Sequence, residues 1–367
     1  MGNAGNALPR KIAIIAGDGI GKEVVDVGRK VLQLYRDRAG FPLELWDLDL
    51  GADRYLKDGT TLPKDVADEI EHRCGAVLLG ALGDPRVPGL EHARAILFGL
   101  RFGLDLFANI RPCRALDDSL VPLKNKTAKD VDFVVFRENT EGVYVGMGGN
   151  FKKGTPDEIA INEDLNTRKG VERIIRAAFA YAATHGKKTV HMADKSNAMK
   201  ASGDLWQRTF AEVSRDFHHI EAKHVYVDAL CLYLLQSPEK FQVIVTNNLF
   251  GDIVTDLAAA LHGGLGIASS ASIHVARDGG LRVGLFEPVH GSAPDIAGKD
   301  RANPLATVLT VGLLLAHLGY DDEEQRLERI VQRAIREKKC TVDVGGALGT
   351  QAVGAFVLEQ LARELAG

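Results

Sequence analysis

Cysteine is scarce in this 367-residue sequence, and Cys74, Cys113, Cys231 and Cys340 form no CxxC pair and no metal-finger spacing. That excludes a disulfide framework and fits structural thiols in a reducing cytosol. Long apolar runs are also missing. None approaches the roughly twenty residues that cross a bilayer, and the initial MGNAGNALPRK has neither an apolar h-region nor the Ser/Thr of a myristoylation signal, so it reads as a short disordered leader. No sign of charge dominates: the net charge is -4 with both signs mixed throughout. Nucleic acid and membrane surfaces are therefore poor partners, whereas acidic small molecules stay open, because local arginine clusters do not show in a total. Internal repeats and low-complexity segments are absent. What remains is a chain long enough for a substantial core, in two domains or one large α/β unit.

The chain alternates strand and helix. KIAIIA (11–16) reads as a buried strand, GKEVVDVGRKVLQLYRDRAG as a helix closed by Gly40, LELWDLDL as a strand, Pro63 to Arg73 as a helix and AVLLGAL (76–82) as a third strand. This βαβαβ order implies a parallel sheet with helices on its faces. GDGIG (17–21) between the first strand and helix lacks the third glycine of GxGxxG, and Asp18 would turn a negative charge towards a pyrophosphate. It reads as a tight turn and not as a Rossmann phosphate loop. Further helices are expected at about 90–106, 169–184, 203–217, 304–318, 322–338 and 351–366, and strands at DFVVF, KTVHMA, HVYVDALCL and FQVIVT.

The stretch with the most chemistry is TNNLFGDIVTDLA, 246–258, directly after FQVIVT. Asp252 and Asp256 lie one helical turn apart and share a face. Carboxylates at that spacing repel one another, and a helix turning both inward needs a cation, for which a hard divalent ion is suited; two solvated aspartates are the plainer alternative. Arg94, Leu97, Phe98 and Arg101 share another helix face, Arg111 follows that helix, and Arg137 follows DFVVF. A single such arginine commonly snorkels to solvent. Three guanidinium groups at element ends suit a bidentate grip on carboxylates, which lysine would not match.

Tyr144 in RENTEGVYVG falls in a β-like segment, and GGNFKKGTPDEIAINEDLNTRKG beyond it reads as an extended arm able to pair with a second subunit. Lys195 follows a buried strand, a position where desolvation and a nearby carboxylate can tune a lysine for proton transfer; a surface lysine in a strand–helix loop is the plainer alternative. Asp228 is a third acid, beside a hydrophobic strand. The segment from Leu285 to Pro304 reads as an irregular loop in which the N–H groups of Gly291, Ser292 and Ala293 approach a nucleotide, and Asp295 has the chemistry to accept from a ribose 2'-hydroxyl and repel a 2'-phosphate.

These segments, in their order GDGIG, LFANIRP, RENTEGVYVG, DKSN, YVDA, TNNLFGDIVTDLA and EPVHGSAPDIAGK, resemble the β-decarboxylating dehydrogenases of the isocitrate/isopropylmalate dehydrogenase family from Ile12 to the carboxyl terminus. The resemblance implies an open two-domain α/β fold that is not a Rossmann fold. A large dinucleotide-binding domain would take residues 1–106 and 262–367, and a smaller central domain, 107–261, would carry the dimer contacts and an arm at about 146–168. It implies NAD and Mg2+ or Mn2+ as cofactors and a cytoplasmic homodimer with shared sites. Arg101, Arg111 and Arg137 would hold substrate carboxylates, and Asp228, Asp252 and Asp256 the metal. Lys195 would remove the hydroxyl proton and Tyr144 would reprotonate the enolate, with Lys195 and Asp228 coming from the partner subunit. Glu287, His290, Gly291, Ser292, Ala293, Asp295, Ile296 and Asn303 would contact the dinucleotide, with Asn197 near the nicotinamide.

Substrate choice rests on the helix before Arg101. Isocitrate enzymes carry a serine and an asparagine there, where this sequence has Ala95 and Leu97, followed by Phe98. An unpaired carboxylate buried against that surface would cost several kcal/mol, roughly, which ranks an alkyl-substituted malate such as 3-isopropylmalate first. RENTEGVYVG looks more like the isocitrate, homoisocitrate and tartrate branches, and Arg94 offers a receiver for a third carboxylate, so those substrates are the alternative. Non-catalytic regulatory subunits of the family typically lose the tyrosine, the lysine or an acid, all of which are present here.

Overall fold

The computed structural model describes residues 10–275 and 282–366, and the first nine residues of the leader expected at the amino terminus lie outside them. The elements run, in order, β1 (Lys11–Gly17), α1 (Gly21–Ala39), β2 (Glu44–Leu48), α2 (Ala52–Asp58), α3 (Lys64–Arg73), β3 (Cys74–Ala81) and α4 (Glu91–Gly103). They continue with β4 (Ala108–Arg114), β5 (Asp132–Glu138), β6 (Gly148–Phe151), β7 (Ile159–Asn162), α5 (Arg168–Thr184), β8 (Thr189–Asp194), α6 (Lys200–Ser214), β9 (Glu221–Tyr226), α7 (Val227–Gln236), β10 (Val243–Thr246) and α8 (Asn248–Leu261). The last are β11 (Ser269–Ile273), β12 (Gly284–Pro288), α9 (Leu305–His317), α10 (Asp322–Arg336) and α11 (Thr350–Ala366). No helix among the described residues is long and apolar enough to cross a membrane.

The chain divides into two compact units, the described parts of 1–106, 114–128 and 259–367, and of 107–113 and 129–258. In the first, strand order is β2-β1-β3-β12-β11. β1 pairs in parallel with β2 and β3, β12 in parallel with β3, and β11 runs antiparallel to β12. Every residue of β3 is buried, as a central parallel strand covered on both faces requires. Val24, Val31, Leu32 and Tyr35 of α1 and nearly all of α9 form its core on one side. Ile70, Ile96, Leu100 and Leu106 form a second cluster. α1 stops where Gly40 takes a left-handed φ of 69° and donates back to Tyr35.

In the second unit the order is β4-β5-β10-β8-β9, with β10 parallel to β5 and β8, and β8 parallel to β9. α5 covers this sheet through Val171, Ile174, Ile175 and Ala178. β6 and β7 form an antiparallel hairpin whose residues are all exposed.

Three local expectations change. HVYVDALCL is not one strand: β9 ends at Tyr226 and α7 begins at Val227. An apolar run that short does not declare its period, and Leu230 and Leu234, one turn apart, are the positions that bury. Asp228 therefore sits in a helix's first turn, where a carboxylate is favoured. Tyr144 lies on a 3-10 turn, Val143–Val145, entered through Gly142 at φ 80°. The start of the loop at Leu285 is strand β12, drawn out by its ladder with β3 despite the flanking glycine and proline.

Candidate active site

Register places the polar residues of the second unit. Arg137 at the end of β5 pairs with Thr246 at the end of β10, Thr246 with Ala193 of β8, and Asp194 with Tyr226 of β9. Whatever follows those strands emerges at one edge, the carboxyl edge, where open α/β sheets keep their sites.

α8 leaves β10 there and carries Asn248, Asp252 and Asp256 on successive turns. Asp252 is the centre of a cluster. Its Oδ1 accepts from Nη1 of Arg137 and lies 3.5 Å from Nη2 of Arg111, and its Oδ2 accepts from the Tyr144 hydroxyl at 2.9 Å. The Arg137 guanidinium also lies over the Tyr144 ring, 5.3 Å from its centroid. Burial pushes the Asp252 carboxyl up, but the charges of Arg137 and Arg111 outweigh it and hold the group below the usual range. The Tyr144 hydroxyl is pushed up by burial and by the charge of Asp252, so it keeps its proton.

Asp256 is raised by burial and then by Asp252. Among the described residues no three His, Cys, Asp or Glu side chains stand close enough together to hold a metal ion by themselves. The hard carboxylates of Asp252 and Asp256, with the repulsion felt by Asp256, nevertheless fit a divalent cation that takes further oxygen ligands from elsewhere.

Lys195 and Asp228 form a second group. Nζ donates to Oδ2 at 2.6 Å, and this bond holds the Asp228 carboxyl below its usual range. Asn197 is exposed two residues beyond Lys195. Asp194 is buried and fixes the start of this turn, accepting from Ser196 N at 3.1 Å and lying 2.8 Å from His224 Nε2.

In the first unit, α4 presents Arg94 exposed, Leu97 and Phe98 half-buried and Arg101 buried. Phe98 stacks on Phe102 at 5.3 Å. Arg101 is ion-paired with Glu287 at the end of β12. In the same unit a cavity of about 520 Å³ is lined by His290, Ile296 and Asn303 together with Ile20, Gly266 and Asp343. Gly291 and Asp295 are exposed, and Ala293 adopts a φ of 37°. The GDGIG turn is tied by its own aspartate: Asp18 accepts from Ala52 N at 2.6 Å and Gly83 N at 2.8 Å and lies 2.8 Å from His92 Nε2. A carboxylate committed to three partners inside the protein is a structural lock for the turn.

Three residues were not singled out by sequence pattern. Asp343 accepts from Asn303 Nδ2 at 2.8 Å and so orients a side chain of the cavity. Asn109 and Asn248 contact Arg111 and Arg137. Both asparagines stand inside segments already notable for other residues, LFANIRP and TNNLFGD, and only their burial separates them from turn formers.

A family model described as isocitrate/isopropylmalate dehydrogenase matches residues 11–357. A 3-isopropylmalate dehydrogenase of Thermobifida fusca is 42% identical over 96% of this chain and 98% of its own length. One from Streptomyces griseus is 44% identical over 93% of this chain and 97% of its own. Among solved structures, an isocitrate dehydrogenase from Methylococcus capsulatus superposes with a TM-score of 0.85 at 35% identity, covering 96% of this chain and 99% of that one.

Proposed function

The chain belongs to the isocitrate/isopropylmalate dehydrogenase family, and we propose that it oxidises and decarboxylates 3-isopropylmalate to 4-methyl-2-oxopentanoate with NAD, in leucine biosynthesis. The observation that carries this reading is the Asp252 cluster, in which two arginines and a tyrosine converge on one carboxylate. The relatives' names support 3-isopropylmalate, as does the half-buried apolar surface of Leu97 and Phe98 beside Arg101.

In this reading Arg101, Arg111 and Arg137 bind the malate carboxylates. NAD supplies the hydride acceptor, and Mg2+ or Mn2+, held by Asp228, Asp252 and Asp256, supplies a Lewis acid for the substrate oxygens. Lys195 helps remove the hydroxyl proton as hydride leaves C2. Loss of carbon dioxide then leaves an enolate, and Tyr144, whose raised pKa keeps it protonated, donates to C3. Glu287, His290, Gly291, Ser292, Ala293, Asp295, Ile296, Asn303 and Asn197 face the dinucleotide. The 520 Å³ cavity with His290, Ile296 and Asn303 on its wall supports that assignment.

Lys195 and Asp228 serve the site of a partner subunit. Exposed Leu232, Tyr233 and Leu235 on α7 and Phe151, Ile159 and Ile161 on the hairpin support a dimer. Four free cysteines, three of them buried, support a reducing cytoplasm.

The test is NADH formation by the purified chain with Mg2+ on 3-isopropylmalate, isocitrate, homoisocitrate, tartrate and malate. The expected result is the highest kcat/KM for 3-isopropylmalate. Preference for a tricarboxylate would assign Arg94 to a third carboxylate, and no turnover on any substrate would leave a regulatory subunit.

A further inference from the structure

Arg111 and Arg137 are alike in one respect that the reaction does not explain. Each guanidinium offers its Nε–H to the side-chain oxygen of a buried asparagine: Arg111 Nε to Asn109 Oδ1 at 2.8 Å, and Arg137 Nε to Asn248 Oδ1 at 2.9 Å. Asn109 is 0% exposed and Asn248 2%. The Asn248 amide cannot turn, because its Nδ2 donates to the Glu141 carbonyl at 2.9 Å. Arg111 is held again on the far side of its fork, where Nη1 donates to Thr255 Oγ1 at 2.5 Å. A guanidinium is planar with five N–H donors in fixed directions, so an acceptor on Nε sets the plane and the aim of both Nη groups.

We infer that Asn109 and Asn248 are positioning residues for substrate, each fixing through Nε the plane in which an arginine presents its Nη edge to a carboxylate. The two amides are placed for this by the elements that carry the site. Asn109 precedes Arg111 by two residues on β4, hence on the same face of the strand. Asn248 opens α8 one turn before Asp252, so the helix that carries the acid also aims the arginine that meets it. The effect belongs to binding, because an arginine held in one plane does not lose that freedom when substrate arrives.

The inference rests on the functional reading for its substrate. Its test therefore has one arm that needs turnover and one that does not. With 3-isopropylmalate, Asn109→Leu and Asn248→Leu are expected to raise the substrate KM by roughly tenfold to a hundredfold, the effect of losing a hydrogen bond to a charged group. KM for NAD should stay unchanged. Asn109→Asp keeps the acceptor oxygen and should recover most of the loss, whereas Asn248→Asp also loses the Nδ2 donor to the Glu141 carbonyl and should not. Equal losses in Asn109→Leu and Asn109→Asp, or a loss confined to kcat in either leucine variant, would overturn the inference.

Thr255→Val removes the second acceptor of Arg111 without a change of shape, and the same rise in substrate KM is read from it should a leucine variant not fold. Independently of turnover, the Nε–Hε signals of Arg111 and Arg137 in arginine-labelled protein should exchange slowly with water. The matching signal should exchange faster in each leucine variant. Unchanged exchange would overturn the inference even in an active enzyme. A wild-type protein inert on the whole panel would instead remove the functional reading and leave this arm standing.

Discussion

Glu138 is the acid that burial changes most in this site's neighbourhood. It follows Arg137, is buried, and accepts from Thr140 N and Oγ1 and from Glu141 N, with Arg173 of α5 3.8 Å away. Burial still pushes its carboxyl up to about 7, with the charge of Glu141 adding to the shift. A carboxyl whose folded pKa lies above its unfolded value favours folding in the protonated form. That contribution is complete below about pH 4.5 and is lost as pH rises through about 7. Glu138→Gln stays neutral throughout, so the melting temperature of the wild type relative to this variant should fall between pH 5 and 8. A pH-independent difference would show that Glu138 ionises as readily in the fold as in the unfolded chain. At this scale the sequence named candidates by type and spacing alone. Asp252, Tyr144, Arg111 and Arg137 could be singled out, but their convergence on one carboxylate could not, since the tyrosine and the acid are 108 positions apart. Asn109 and Asn248 went unseen because an asparagine near a proline or a glycine looks like a turn former.

α8 shows how one element sets several parts of the site. Its Gly251 packs against Arg137 so closely that an added Cβ would stand 2.6 Å from Arg137 Cγ and 2.7 Å from Cβ. Those atoms are next to the backbone of β5 and cannot swing aside. Gly251→Ala should therefore cost about 1–3 kcal/mol of stability, as overpacking does, and raise the substrate KM by displacing Arg137. Thermal denaturation and kinetics check both, and a variant with wild-type values for each would show that α8 has room to shift. The element was legible because β10 is short, apolar and β-branched and the helix after it has a clear period. α7 was not, because Leu232, Tyr233 and Leu235 are exposed on this chain and blur its amphipathic pattern. β12 was hidden for a different reason: a parallel strand is decided by its neighbour β3, far away in sequence, while Gly284 and Pro288 locally signal a loop.

For the whole molecule, the exposed apolar residues of α7 and of the β6–β7 hairpin have a testable consequence. Sedimentation at micromolar concentration should give a species of twice the chain mass. Replacing Phe151, Ile159 and Ile161 with serine should shift it towards the monomer with loss of NADH formation, because the proposed function has Lys195 and Asp228 serve a partner's site. An active monomer would remove the shared-site reading.

By itself the sequence determined the α/β class, the parallel arrangement, the refusal of a Rossmann phosphate loop at GDGIG, and the family, because strand–helix periodicity and motif order are local and survive in one dimension. Tertiary structure alone decided that residues 114–128 pack with the first unit, that Asp18 spends its charge on Ala52, Gly83 and His92, and that two asparagines aim the arginines of the site. Those are contacts between groups remote along the chain or indistinguishable from turn formers. Their energies depend on burial and direction, which spacing does not encode.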